Sequence, residues 1–80
     1  MSAAMDSNTN TIYVALPDEG TPVWRHTQGV RLPNGNYLLL PTPNYDSKDE
    51  HWEFVPGSVV RCVFEEHEGE MILIAKKLIK

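Results

Sequence analysis

The chain has a single cysteine, no long apolar run and no glycine-rich phosphate loop in its 80 residues. One cysteine excludes an intrachain disulfide framework, and a lone thiol fits a reducing compartment better than a secreted mini-domain. No stretch approaches the roughly 20 apolar residues of a membrane-spanning helix. The opening Met1–Asn10 has neither a basic region nor an apolar core, so no secretory signal is expected and the reading is cytoplasmic. Its small polar residues predict a disordered tail at 1–10, ahead of one domain at 11–80.

Basic residues are scarce too. Seven Lys and Arg stand against eleven Asp and Glu, for a net charge of −4. A nucleic-acid binder needs a cationic surface to neutralise phosphates, so that class is not expected. Trp24, Arg25 and Arg31 are the only residues suited to stacking on a single strand. Neighbours on a strand face opposite ways, so Trp24 and Arg25 cannot form one platform.

Residues for chemistry are few. Cys62, His26, His51 and His67 show no metal-ligand spacing, and no metal or other cofactor is expected. Ser58 could serve as a nucleophile only if His26 or His67 came beside it, and after Gly57 it reads as a turn residue. The carboxylate pairs Asp18/Glu19 and Asp49/Glu50 lie in loops, where solvation accounts for them. Cys62 shares a strand face with Val60 and Phe64 and reads as a buried structural thiol. No catalytic residue is assigned, and the protein is not expected to be an enzyme.

What the chain does have is a β pattern. Trp52 and Phe54 lead through Pro56-Gly57-Ser58 into an alternating strand, Val59–Glu65. The two aromatics read as plugs of a small core. Upstream, Thr11–Leu16 alternates, with Ile12, Val14 and Leu16 on one face. Pro17-Asp18-Glu19-Gly20 is turn chemistry. Val23–Leu32 is a second strand, in which Gly29 suggests a bulge or bend.

Asn34-Gly35 predicts a tight hairpin with positive φ at both central residues, leading into Tyr37–Leu40. Ser47 and Glu50 have capping-box spacing and allow one helical turn. Glu66–Glu70 reads as the next turn. Met71–Ala75 is a last strand, apolar on both faces, and Ile72 and Ile74 could form a self-association edge. Together these predict an all-β domain of five short strands, a small closed or partly open barrel or a compact sandwich.

Two stretches resemble a known family. Ile12–Arg25 (IYVALPDEGTPVWR) and Trp52–Cys62 (WEFVPGSVVRC) are similar to the "YVxLxDEGTxVWRP" opening and "WxFxPGSVVRC" centre of a family of small bacterial proteins to which no reaction is assigned. The resemblance covers most of Thr11–Ala75 and departs at His26, where proline is common. It implies an SH3-like barrel and brings no catalytic residues.

The functional expectation is a non-enzymatic protein-interaction module with an unknown protein partner. The acidic charge also suits an inhibitor or immunity-like role, in which a small acidic domain covers a basic active site. Self-association through strand five and weak single-stranded nucleic-acid binding are the alternatives; a membrane partner is not expected. The candidate binding surface is Asp18, Glu19, Trp24, Arg25 and Trp52, where an acidic loop runs into a tryptophan-arginine pair. A cage of Trp24, Tyr37 and Trp52 is a second candidate.

Overall fold

The computed structural model describes residues 9–17, 20 and 23–80. Five strands form: β1 (Thr9–Ala15), β2 (Trp24–Arg31), β3 (Tyr37–Leu39), β4 (Val59–His67) and β5 (Glu70–Leu78). They close into a small barrel in the order β1-β2-β3-β4-β5, consistent with the SH3-like architecture that the resemblance implied. Successive strands are antiparallel, so the first and fifth run in the same direction. Closure is therefore parallel, through Tyr13 opposite Ile74.

The period-two reading of β1 holds. Ile12, Val14 and Leu16 are buried and meet Tyr37, Leu39, Val60, Leu73 and Ala75 in one core. β1 begins two residues earlier than expected. Thr9 pairs with Val30 and Asn10 with Gly29, so both belong to the barrel rather than to the tail. The remainder of that tail, residues 1–8, lies outside the described residues.

Gly29 does not mark a bulge. The register of β1 on β2 runs through it unbroken, and the ladder irregularity falls between Arg61 and Cys62 on β4. Glycine is needed at position 29 for a different reason. A Cβ there would lie 2.3 Å from Ile12 Cδ1 and 3.2 Å from the Leu38 carbonyl oxygen. Thr27, on the same inward face of β2, is buried and donates its hydroxyl to the Leu40 carbonyl at 2.6 Å. Its polar group is thereby satisfied inside the barrel.

The tight two-residue turn expected at Asn34-Gly35 does not form there. At Pro33-Asn34-Gly35 only Gly35 has positive φ, +92°. Gly35 N–H donates to the Leu32 carbonyl, and Leu32 N–H donates to the Asn36 carbonyl. This is a three-residue loop, a type I turn closed by glycine, because Pro33 holds φ negative at the first central position. The tight two-residue turn lies instead at Glu68-Gly69, with φ +52° and +85°, between paired His67 and Glu70. β4 accordingly runs two residues past its expected end and β5 three past its own, making one long ribbon.

Both turns can be tested by urea unfolding. Gly35→Val is expected to lose about 1–2 kcal/mol, because a β-branched residue resists positive φ. Glu68→Asn is expected to gain about 0.5–1 kcal/mol, since asparagine tolerates the left-handed region that strains glutamate. A neutral result at both sites would refute these turn assignments.

Between β3 and β4 the chain leaves the sheet. Its single turn is capped by Asp46 rather than Ser47. Asp46 Oδ1 accepts from Lys48 N–H at 2.9 Å, and the Asp46 carbonyl accepts from Asp49 and Glu50. Aspartate one position earlier closes the turn on its own backbone, which leaves the Glu50 side chain available elsewhere. The segment is then pinned by Glu53 N–H to the Ala15 carbonyl and by Gly57 N–H to the Leu39 carbonyl. Trp52, immediately before the first of these pins, is 2% exposed and closes one end of the barrel, with Phe54 packed beside the core.

Candidate functional site

The candidate surface read from the sequence divides in the structure. Asp18 and Glu19 lie outside the described residues. Arg25 and Trp52 do come together, through Glu50. The Arg25 guanidinium pairs with Glu50 Oε2, and Trp52 Nε1 donates to Glu50 Oε1 at 2.8 Å. The Trp52 N–H, with Arg25 adding to it against an opposing effect of burial, holds the Glu50 carboxyl below its ordinary value. This cluster ties β2 to the long loop and orients the plug. Its aromatic member is buried, so it serves as a brace for the barrel end.

A pH test follows from that direction. A carboxylate whose folded pKa is depressed stabilises the fold above its unfolded pKa and loses that contribution as pH falls through the folded value. Below the ordinary value of 4.5, the native protein is expected to lose stability more steeply than Glu50→Gln. Equal slopes in acid unfolding curves would mean that Glu50 is not held as described.

Trp24 belongs to a different surface. On β2 it points opposite to Arg25, and its ring meets His67 edge-on at a centroid distance of 5.9 Å. The proposed cage of Trp24, Tyr37 and Trp52 does not form, because Tyr37 and Trp52 are buried in the core. Ile74, read as part of an exposed edge, is 1% exposed, so that edge is not available as written. Cys62 is half-buried against the core, and burial pushes its thiol up to about 11. Ser58 is engaged through its main chain, donating to the Val55 carbonyl and accepting from Leu39 N–H. Among the described residues no group of three or more His, Cys, Asp or Glu gathers to hold a metal, and no helix is long and apolar enough to cross a membrane.

The feature the sequence reading missed is the β4–β5 ribbon beyond the barrel wall. Phe64 pairs with Leu73, and Met71 with Glu66, on the face that forms the core further along. Toward the turn that face is uncovered. Phe64 at 63% and Met71 at 62% are the most exposed large apolar side chains among the described residues. The signal for it was present: an apolar fifth strand joined to the fourth by a turn segment rich in glutamate. Strand length decided which apolar residues fell outside the wall.

Two grooves open along the seam where β1 and β5 separate below Tyr13 and Ile74. One, of about 340 Å³, is lined by Asn10, Thr11, Phe64, Met71 and Leu73. The other, also about 340 Å³, is lined by Tyr13, Trp24, His67, Glu68 and Glu70. Ile72 borders both. Carboxylates surround them. Glu65 is held low by a hydrogen bond from Lys76 at 2.7 Å and by His67 at 3.2 Å. Glu66, Glu68 and Glu70 have no ion pair among the described residues.

In comparisons with family models, curated proteins and solved structures, the chain matches none.

Proposed function

We propose that the protein is a non-enzymatic protein-interaction module of the bacterial cytoplasm, contacting its partner at the β1–β5 seam. The observation that carries this reading is the exposure of Phe64 and Met71 on an acidic ribbon. Exposed aromatic and methionine side chains beside open grooves are the composition of an interface centre, and a charged rim supplies selectivity. Cys62 agrees with a binding role, since its raised pKa leaves little thiolate at neutral pH to act as a nucleophile. Nucleic acid is disfavoured as a partner because the seam would set carboxylates against phosphates.

The test is a photocrosslinking residue placed at position 64 in living cells, with a control at Asn34 in the distant turn. A discrete protein adduct from position 64 alone, surviving nuclease, is the expected result. Adducts of equal pattern from both positions, or none from position 64, would reject the seam as an interface.

A further inference from the structure

We propose that the free edge of β5 at Glu70–Leu73 takes up an extended partner segment alternating apolar and basic residues, added as a strand at the β1–β5 seam. This rests on the interaction-module reading above and specifies its partner.

The main chain supplies the first argument. In a two-residue hairpin the closing pair, here His67 and Glu70, exchanges both main-chain hydrogen bonds, and the ladder alternates from there. Ile72 therefore spends its main-chain groups on β4, whereas those of Met71 turn away from β4 and toward β1. β1 meets β5 in register at Tyr13 and Ile74, beyond the reach of Met71. An edge with unspent N–H and C=O groups beside a groove is a template for strand addition.

The side chains supply the second argument. Successive residues of an added strand point to opposite faces. On the inward face lie Phe64, Met71 and Leu73, an apolar floor. On the outward face lie Tyr13 and Trp24 with Glu68 and Glu70, aromatic rings beside carboxylates. Rings and carboxylates together suit a lysine or arginine side chain. An apolar–basic alternation is thus the pattern that satisfies both grooves at once.

Charge selects against the other occupants. A second copy pairing through this short edge would bring Glu66, Glu68 and Glu70 of one chain against the same residues of the other. Like charges so placed disfavour the contact.

The test is a titration of the isotope-labelled full chain with a synthetic peptide alternating lysine and valine, followed by amide resonances. Shifts are expected at Thr11, Tyr13, Met71 and Leu73. Binding should weaken at least about tenfold for a glutamate–valine peptide and for Glu70→Lys, as expected for a charge-complementary contact. It should weaken comparably when the lysine–valine peptide is N-methylated along one main-chain edge. Met71→Ser, at an exposed position, should weaken it independently of charge. Shifts at another surface, equal binding of the glutamate–valine peptide, or self-association through the same amides would overturn the proposal. Full binding by the N-methylated peptide would overturn strand addition alone. A position-64 crosslink in cells would then leave the module reading standing, and its absence would remove both.

Discussion

Trp52→Ala is expected to lower the unfolding free energy by about 3–5 kcal/mol, the largest loss from any single substitution considered for this chain. Three features of the site add up. The side chain is 2% exposed at the end of the barrel, where it is among the largest fully buried groups. Its ring meets Tyr45 edge-on at 4.9 Å, an arrangement aromatic pairs favour. Its N–H is bonded to Glu50, so truncation also removes a donor from a carboxylate already engaged with Arg25.

A domain of this size buries only about 60% of the surface its unfolded chain exposes and has little stability in reserve. The alanine variant should therefore unfold at low urea or near ambient temperature. Far-UV circular dichroism through a urea series measures this without relying on the lost fluorophore. Trp52→Phe separates the contributions: it keeps much of the packing and loses the hydrogen bond, for an expected cost of about 1–3 kcal/mol. An alanine variant that loses less than about 1 kcal/mol would place the ring outside the core.

The second large effect is expected at a residue with no side chain. Gly29→Ala should cost about 1–3 kcal/mol, because the added methyl overpacks a filled interior. The new Cβ would stand 2.3 Å from Ile12 Cδ1, and Ile12 is fully buried, so its side chain has little room to turn away. The Leu38 carbonyl at 3.2 Å limits movement on the other side. Ile12→Val removes the clashing methyl and supplies the decisive control. In the double variant the two losses should fall short of their sum by about 1 kcal/mol. Strict additivity would mean that the close approach is not what requires glycine at this position.

These two sites show what a linear reading can reach. Trp52 was legible as a core plug, since a large aromatic beside a Pro-Gly turn and an alternating strand has few other uses in so short a chain. Gly29 was legible as special, but its reason was not. A glycine inside a strand pattern is compatible with a bulge, a bend or a close approach, and only the packing of Ile12 and Leu38 around it distinguishes them. The hairpin turns teach a related lesson. Asn34-Gly35 carries the strongest local signal for a tight turn, yet Pro33 ahead of it forces a longer loop. Glu68-Gly69 takes the strained tight turn because the long ladder on either side requires it there.

The functional surface was less legible than the fold. Arg25 and Trp52 were singled out together, and they do meet, but as two arms of a brace on Glu50, which lies 25 residues from Arg25 in the chain. Trp24, adjacent to Arg25 in sequence, faces the other way and contributes to a groove with Tyr13 and His67. Strand alternation foretold that separation without showing what each face would meet.

By itself, the sequence determined the strand-forming segments, the inward face of β1, the core role of Trp52 and the acidic balance. These follow from local rules: period-two burial, turn chemistry and charge count. The tertiary structure alone decided that Glu50 would gather Arg25 and Trp52, that five alternating strands would close through a parallel seam, and that β4 and β5 would outrun it. Each of those depends on which distant backbones lie side by side. Closure buries Ile74 and leaves Phe64 and Met71 in water, although all three belong to the same apolar ribbon.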